Sequence, residues 1–538
     1  MPTTGAVGSA VAACGPAATA AVLAVAAWAV GLRGTDTAAQ VYRAALAGSH
    51  GLVLWDPGWY TGAYPLAYSV LAPPLVAFAG AGLSGVLAAA GATAAFDATV
   101  RRLTGRVRPW GVWYFALSTL IAVGVGQLTY LCGEAAGLLA LWVALSRRPG
   151  PAPVIGAAVL GTCAALLSPL AAAFAVLAAG VLLAGRAAPP APLVALGGTA
   201  AATVGILGLG LFPGDGPFPF AWTGLVVVEG LCLAVVAGGD RLLGLPPLVR
   251  AGAAAYGLAT LASFLVPNPL GGNAPRLAES VGLPLVLCGL PRRGGRRDRR
   301  SLVAVAVLAP FAVWQWGPTT AFATRSSEPP SDHAAFYRPL GAELAVLTHR
   351  RPVRVEVVPT RDHAESADVP SATVSLARGW ERQLDVGRNP LFYRRGALTD
   401  HRYLRWLRHH GVAYVALPLA PLDYAGRGEA ALLRAGVPGL APVWSTPAWR
   451  LWRVTGSPGL TTGPARVAAL GADRVVLDAR GAGTVLVRVH WTPYFTLTAG
   501  RACLAPGPGG WTLLHTRGPD RVALGVSLIG GRRARCRP

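Results

Sequence analysis

Two carboxylates stand in the first polar stretch of the chain, just after its first membrane-length apolar run. Asp36 lies about four residues past that run, in GTDTAAQVYR, and Asp56 lies in the aromatic turn LWDPGWYTGAYP. Carboxylates take protons from hydroxyl groups and bind hard cations. Because the chain holds only 24 acidic residues, two of them at a membrane surface indicate a ligand site, with Asp36 as the leading candidate.

Each acid also has a purely structural interpretation. GTD before AAQVYRAALAG is a typical start of an interfacial helix, in which Asp36 would be the N-cap. Asp-Pro-Gly forms turns whatever the function, which would explain Asp56. The aromatic residues around Asp56, including Trp59 and Tyr60, suit sugar rings as well as the membrane interface.

Three residues elsewhere could complete such a site. Arg276, in NPLGGNAPRLAES, lies at the outer end of an apolar run, where its guanidinium could bind a phosphate in a bidentate manner or simply anchor the helix. Glu134, in QLTYLCGEAAGLL, is an acid inside an apolar run, which favours a functional role. Gln127 precedes it by seven residues and would share its helical face.

Composition places these residues in a membrane protein. Of 538 residues, 53% are hydrophobic and 13% charged, and the mean hydropathy is +0.48. The net charge of +23 comes from arginines that flank apolar runs, so membrane anchoring explains it better than nucleic acid does. The bias toward Ala, Gly, Pro and Arg is typical of a GC-rich bacterial genome.

Apolar runs recur until about residue 318, which predicts a polytopic α-helical membrane domain over 1–320 with about eleven transmembrane helices. The predicted spans lie near 8–32, 82–99, 109–126, 128–145, 152–169, 170–186, 191–211, 220–238, 248–266, 277–290 and 301–318. Residues 33–81 form the first loop, with interfacial or re-entrant helices, because prolines break the stretch after Tyr64.

Orientation follows from arginine clusters at 101–108, 147–148 and 292–300, all on one predicted side, the cytoplasm. The first loop and residues 321–538 then lie outside the plasma membrane. Strand and helix patterns predict an extracytoplasmic domain with an α/β part at about 335–440 and a β-sandwich at about 441–538. Cys503 and Cys536 are its two cysteines, and an external compartment permits a disulfide between them.

This layout, together with GTDTAAQVYR and LWDPGWYTGAYP, resembles the GT-C superfamily of membrane glycosyltransferases, in particular the actinobacterial arabinofuranosyl- and mannosyltransferases. The resemblance implies an inverting enzyme that moves a sugar from a polyprenyl-phosphate donor to a cell-envelope glycan or lipid acceptor on the outer face. It implies Asp36 as the base and Asp56 as a second acid, which orients the acceptor or binds Mg²⁺ or Mn²⁺. Arg276, Glu134, Gln127, Trp59 and Tyr60 would then bind substrate.

Two other functions remain open from the residues alone. About eleven spans with internal acids such as Glu134 and Glu229 would also serve a transporter or flippase of envelope precursors. A non-catalytic assembly protein of the envelope is the third. The large C-terminal domain and the lack of visible inverted halves favour the transferase.

Overall fold

The computed structural model describes residues 4–105, 109–212, 216–240, 243–290, 305–306, 308–317, 330–529 and 535–536. The chain divides into two compact units. The first, called here the helical unit, comprises Met1–Gln40 and Ala67–Ser326, and the second, called the C-terminal unit, comprises Val41–Leu66 and Ser327–Pro538. The first predicted loop is thus divided, and most of its aromatic part belongs to the C-terminal unit.

The first part of the chain is built from largely apolar helices, and among the described residues five of them begin with proline, a residue that the first helical position tolerates. They are α1 (Thr4–Ala29), α2 (Thr37–His50), α3 (Pro65–Tyr68), α4 (Ala72–Ala79), α5 (Ala81–Thr104), α6 (Pro109–Val125), α7 (Leu128–Ala144), α8 (Ala152–Leu167), α9 (Pro169–Ala184), α10 (Pro190–Gly205), α11 (Trp222–Gly238), α12 (Pro247–Leu265), α13 (Leu283–Gly289) and α14 (305–306 and 308–317). A π-helical segment, Ile206–Leu211, extends α10, and another, Ala278–Gly282, precedes α13.

Each predicted span overlaps one of these helices. Within the described residues, three helical segments are long and apolar enough to cross a membrane by length and composition: Ala81–Thr104, Pro190–Leu211 and Pro247–Leu265. Six further apolar helices are shorter, between 10 and 17 residues. The buried faces are lined largely by alanine, as in the cluster shared by α1, α5, α6 and α7, and small residues let helices approach closely.

The proline-broken segment after Tyr64 forms the short helices α3 and α4. With 8 residues, α4 is about 12 Å long, whereas a bilayer core is about 30 Å thick. The break between α3 and α4 is covered by protein, because the backbone nitrogens of Val70 and Leu71 donate to the carbonyl oxygen of Leu166 at 2.9 and 3.0 Å. These two backbone nitrogens are therefore satisfied by protein rather than by solvent.

The C-terminal unit begins with an α/β part. Its five-stranded sheet has the order β2-β1-β3-β5-β4, in which β1, β2 and β3 are parallel. The strands are β1 (Val353–Val357), β2 (Val374–Leu376), β3 (Val412–Pro418), β4 (Leu440–Ser445) and β5 (Trp449–Val454). The helices are α15 (Ala334–Leu347), α16 (Glu365–Asp368), α17 (Arg382–Arg388), α18 (Asp400–His409) and α19 (Tyr424–Ala435).

The boundary between the α/β part and the sandwich lies later in the chain than the predicted position near residue 441, because of strands β4 and β5. Instead of opening the sandwich, β5 pairs antiparallel with β3, and β4 pairs with β5. The alternating pattern of WRLWRV fits a strand of the α/β sheet as well as a strand of the sandwich, so the sequence alone does not show which sheet this strand joins. The sandwich therefore starts at about residue 461.

Two four-stranded sheets form the sandwich, with orders β10-β13-β8-β7 and β11-β12-β9-β6. The strands are β6 (Thr461–Thr462), β7 (Ala465–Gly471), β8 (Arg474–Ala479), β9 (Ala482–His490), β10 (Phe495–Ala499), β11 (Ala502–Pro506), β12 (Trp511–Arg517) and β13 (Asp520–Val526). Cys503 and Cys536 are joined by a disulfide. Trp55, from the first loop, is buried in the sandwich core.

Candidate functional site

The helical unit brings two of the predicted site residues together. The guanidinium of Arg276, through Nη2, lies 3.4 Å from Oδ2 of Asp36. The two positions are 240 residues apart in the chain. Their side chains are 17% and 19% exposed, so the pair is sheltered yet open to a ligand.

The Asp36 carboxylate does not cap the helix that follows it. Within the described residues, its side-chain hydrogen bond is the one from Arg276, and no backbone nitrogen of α2 donates to it. The backbone carbonyl of Asp36 does accept from the Gln40 nitrogen, as the first turn of a helix requires. The capping interpretation therefore explains the position of Asp36 in the chain but not what its carboxylate contacts.

Close backbone packing holds Asp36 in place. Its backbone nitrogen donates to the carbonyl oxygen of Val125 at 3.0 Å. A side chain on Gly34 would overlap the backbone of Gly124 and Val125, and one on Gly126 would overlap Thr37. The two glycines thus let the stretch before α2 lie directly on the turn between α6 and α7.

Three side chains from α7 and the π-helical segment form a series of contacts that begins at Arg276. The ring of Tyr130 lies 5.8 Å from the guanidinium carbon of Arg276, and its hydroxyl lies 3.0 Å from Oγ of Ser280. The same hydroxyl donates to Oε1 of Glu134 at 3.2 Å. Glu134 is 6% exposed, and it is connected to Arg276 through Tyr130.

Gln40 lies one helical turn after Asp36 and supplies an amide to the same region. Its Oε1 accepts a hydrogen bond from the hydroxyl of Thr129, and its Nε2 has no partner among the described residues. Gln40 is 4% exposed, and a buried amide with one unused group is costly unless a ligand meets it. Exchanging the amide oxygen and nitrogen would leave one group unused all the same.

Arg276 lies in a helical turn just before the π-helical segment, and this turn is held by contacts on both sides. The hydroxyl of Tyr256 donates to the carbonyl oxygen of Ala274 at 2.7 Å and accepts from the nitrogen of Ala278 at 3.3 Å. Gln315 in α14 binds the next turn, since its Nε2 donates to the carbonyl oxygen of Glu279 and to Oγ of Ser118. These contacts set the position of the guanidinium.

Two further features belong to the helical unit. Gln127 is half-buried and stands just before α7 rather than inside it, so helical periodicity does not assign Gln127 and Glu134 to one face. An apolar cavity of about 400 Å³ is lined by α5, α7 and α8, and none of the predicted site residues contributes to its wall.

Asp56 belongs to the C-terminal unit and has structural partners. Its Oδ2 accepts from the hydroxyl of Tyr42 at 2.8 Å, and its Oδ1 accepts from the nitrogen of Gly58 at 3.0 Å. Burial raises the pKa of Asp56, although the bonds from Gly58 and Tyr42 oppose that shift. The turn accounts for Oδ1 and the Tyr42 hydroxyl for Oδ2, so both oxygens have structural partners and we do not retain Asp56 as a catalytic acid.

The aromatic cluster corrects a second prediction. Trp59 and Tyr60 are 3% and 2% exposed, so neither offers a face to a sugar. Nε1 of Trp59 donates to the carbonyl oxygen of Ser366, and the Tyr60 hydroxyl donates to that of Gly379. Aromatic residues at a membrane interface and in a domain core have the same sequence pattern, and here they form a core.

The charged segment at 378–393 also pairs within the C-terminal unit. Arg43 binds Glu381 at 2.8 Å, and Arg382 binds Asp423 at 3.1 Å. No group of three or more metal-binding side chains occurs in the described part of the chain. A divalent cation at Asp36 and Asp56 therefore stays a sequence-based prediction without support from this geometry.

Sequence reasoning missed Gln40, Tyr130 and Ser280. Each lies four residues from a residue that was identified: Gln40 from Asp36, Tyr130 from Glu134, and Ser280 from Arg276. Four residues are about one helical turn, so a search one turn to either side of each candidate would have found all three.

No family model matches the chain, and no curated protein matches it. Among solved structures, the chain is similar to the arabinofuranosyltransferase AftD from mycobacteria, determined by single-particle cryo-EM. The two share 16% sequence identity, with a TM-score of 0.49, over 88% of this chain and 41% of that one. This chain thus spans less than half the length of the AftD chain.

Proposed function

We propose that this protein is an inverting membrane glycosyltransferase of the GT-C type. It moves a sugar from a polyprenyl-phosphate donor to a cell-envelope glycan or lipid acceptor at the outer face of the plasma membrane. The observation that carries the proposal is the pairing of Asp36 with Arg276 in the helical unit. The sequence resemblance described above supplies the reaction type.

The chemistry needs a base and a cation close together. The oxygen of the acceptor hydroxyl forms a bond to the anomeric carbon of the donor sugar, while the bond from that carbon to the lipid phosphate oxygen breaks. The hydroxyl proton passes to the Asp36 carboxylate, and the electron pair of the broken bond leaves with the phosphate. Attack from the face opposite the phosphate inverts the configuration at the anomeric carbon.

Arg276 is suited to bind the departing phosphate. Its contact with Asp36 is a single one at 3.4 Å, longer than the roughly 2.7–2.9 Å of a strong charge-assisted hydrogen bond. A phosphate with two oxygens facing the guanidinium would replace that contact and release the carboxylate for proton transfer. The unused amide group of Gln40 provides a further hydrogen bond to the ligand.

Transfer can be measured in proteoliposomes that contain the purified chain. The donors are radiolabelled polyprenyl-phosphate arabinofuranose and polyprenyl-phosphate mannose, with a cell-envelope extract as acceptor. Asp36→Asn removes the base, so we expect transfer to fall roughly 10²–10⁴-fold. Arg276→Lys keeps the charge but loses the planar guanidinium that forms two hydrogen bonds to one phosphate. We therefore expect the rate of transfer to fall by about one to two orders of magnitude.

Asp240→Asn is the matched control. Asp240 also pairs with an arginine in the helical unit, Arg250, at 3.8 Å, but its side chain is 72% exposed. We expect wild-type transfer from this variant. Transfer by Asp36→Asn at the wild-type rate would refute the assignment of the base. Movement of donor across the bilayer without sugar transfer would instead indicate a flippase.

A further inference from the structure

Arg354, in β1 of the C-terminal unit, is a fully buried arginine with one unused edge. It is 0% exposed, and its Nη1 donates to the carbonyl oxygen of His410 at 2.7 Å. Its Nε and Nη2 contact no acceptor in the described part of the chain. These two nitrogens lie side by side on the planar guanidinium, which is the arrangement that binds an oxyanion through two hydrogen bonds.

The groups around Arg354 carry or can carry positive charge. Burial and the charge of Arg488 lower the pKa of Arg354 to about 9. Burial also lowers the pKa values of His410 and His490 to about 3, and the charges of Arg354 and Arg388 act in the same direction. Both histidines are therefore neutral near pH 7, and the positive charges here are those of Arg354 and Arg488, whose proximity in a protein interior is unfavourable unless an anion is present.

No carboxylate of the described residues offsets this charge. Glu356 stands two residues along the same strand but binds Arg378 instead, at 2.6 Å. The electrostatic neighbour that acts on Arg354 is another arginine, Arg488. The pairing that stabilises Arg378 is therefore missing at Arg354.

A structural role explains part of this arrangement. Nη1 of Arg354 and Nε of Arg488 donate to the carbonyl oxygens of His410 and His409 at the C-terminal end of α18. Cations at that end interact favourably with the helix dipole. This role uses one edge of the Arg354 guanidinium and leaves Nε and Nη2 unexplained.

We propose that the Nε and Nη2 edge of Arg354 binds a small oxyanion, either a carboxylate or a phosphate, in a site bordered by Arg488, His410 and His490. The ligand is small because Arg354 has no exposed surface. The buried ring of Trp511 packs against His410 and His490, with ring centroids 5.6 and 5.1 Å away, and forms part of the surroundings. The site lies in the C-terminal unit and does not depend on the proposed transferase activity.

Binding can be measured on the full-length chain in detergent at pH 7.5. Equilibrium dialysis with radiolabelled phosphate, and separately with radiolabelled acetate, gives the stoichiometry and the preferred class of anion. We expect about one displaceable anion per chain for at least one of the two. Thermal unfolding at constant ionic strength should show a saturable rise in Tm, roughly 5–10 °C at about 100 times Kd.

Variants test whether Arg354 is the ligand. Arg354→Met should abolish the saturable rise in Tm, and Arg354→Lys, which keeps the charge without the two-point edge, should weaken binding about tenfold or more. Arg450→Met, at an exposed position of the same unit, is the matched control and should bind as the wild type does.

Two results would overturn the proposal. One is a rise in Tm of equal size in wild type and Arg354→Met, which is the general effect of an excluded salt. The other is the absence of bound phosphate and of bound acetate in dialysis of the wild-type chain. The second result needs no variant, so it decides the question even if Arg354→Met does not fold.

Discussion

The α carbon of Gly126 packs directly against Thr37, so closely that a methyl group at position 126 would overlap the Thr37 nitrogen and hydroxyl oxygen. Gly126 also has a φ of +87°, which a residue with a side chain adopts only with strain. Because Thr37 follows Asp36, this contact fixes where the carboxylate stands. The backbone thus determines the position of Asp36.

Gly126→Ala should therefore displace Asp36. We expect sugar transfer to fall at least tenfold and Tm to drop by several degrees, as judged by the proteoliposome assay and by thermal unfolding. Gly91→Ala is the control, since Gly91 lies in α5 with no atom within 4 Å of an added Cβ. That variant should keep its activity and gain slightly in stability. Normal transfer by Gly126→Ala would contradict the role given to this contact.

Tyr256→Phe should displace Arg276 indirectly, through the backbone that the Tyr256 hydroxyl holds. The lost hydroxyl joins the Ala274 carbonyl to the Ala278 nitrogen, and its removal leaves both groups unsatisfied at a cost of about 1–3 kcal/mol. A displaced Arg276 should raise KM for the donor several-fold with a smaller change in kcat. The 60% exposed Tyr424 provides a control, Tyr424→Phe, which should leave both constants unchanged. An unchanged KM in Tyr256→Phe would show that the turn does not need this hydroxyl.

Topology can be tested with single cysteines. Cys503 and Cys536 are joined in a disulfide, so neither offers a thiol to a reagent. Ser371→Cys introduces an exposed thiol in the C-terminal unit, and Arg147→Cys introduces one between α7 and α8. In intact cells, a membrane-impermeant maleimide should label only the first, and after permeabilisation it should label both. The reverse pattern would place the C-terminal unit in the cytoplasm.

The stability of the C-terminal unit should fall in acid because of His410 and His490. Their pKa values drop from 6.5 to about 3 on folding, chiefly through burial. The unfolded chain thus takes up protons that the folded chain does not between pH 6.5 and about 3, and the free energy of unfolding falls as pH falls through that window. Unfolding curves followed by tryptophan fluorescence should show this slope, and His410→Gln should flatten it.

His363 provides a control of opposite sign. Burial lowers its pKa, but the carboxylates of Glu365 and Asp423, 3.3 and 3.6 Å from its ring nitrogens, outweigh that effect and raise it. The stabilisation from His363 is present below pH 6.5 and is lost as pH rises through the folded-state pKa. His363→Gln should therefore leave the decline in acid in place or make it steeper. A flatter decline in His363→Gln than in His410→Gln would contradict this assignment.

Local sequence predicted the apolar helices, because apolar length and the scarcity of charge are local properties. The eleven predicted spans each overlap a helix, and the residue types and positions of Asp36 and Arg276 make both of them candidates from the sequence alone. Trp59 and Tyr60 were misassigned because their partners, Ser366 and Gly379, are about 300 residues away. No local pattern distinguishes a ring buried by such a distant segment from one at a membrane interface.

For the same reason, the sequence does not predict that the residues around Arg354 come together. Arg354, His410 and Arg488 come from a strand, a helix end and a sandwich strand that are distant in the chain. An alternating strand such as RPVRVEVVPT predicts which face a side chain takes, but not whether a carboxylate will stand opposite it. Register and sheet order decide that, and both are set by tertiary packing.

The incorporation of Trp55 into the sandwich core imposes an order on biosynthesis. The Asp473 carboxylate that binds the backbone of Trp55 is synthesised 418 residues later, which at ribosomal rates is roughly 20–80 s. During that interval the tryptophan and its aromatic neighbours have no core to enter, while the apolar helices are being inserted. The segment around Trp55 therefore cannot reach its final packing until the sandwich strands have been synthesised. A ribosome that stops before residue 473 would release a chain with this segment exposed, suited to recognition by quality-control proteases.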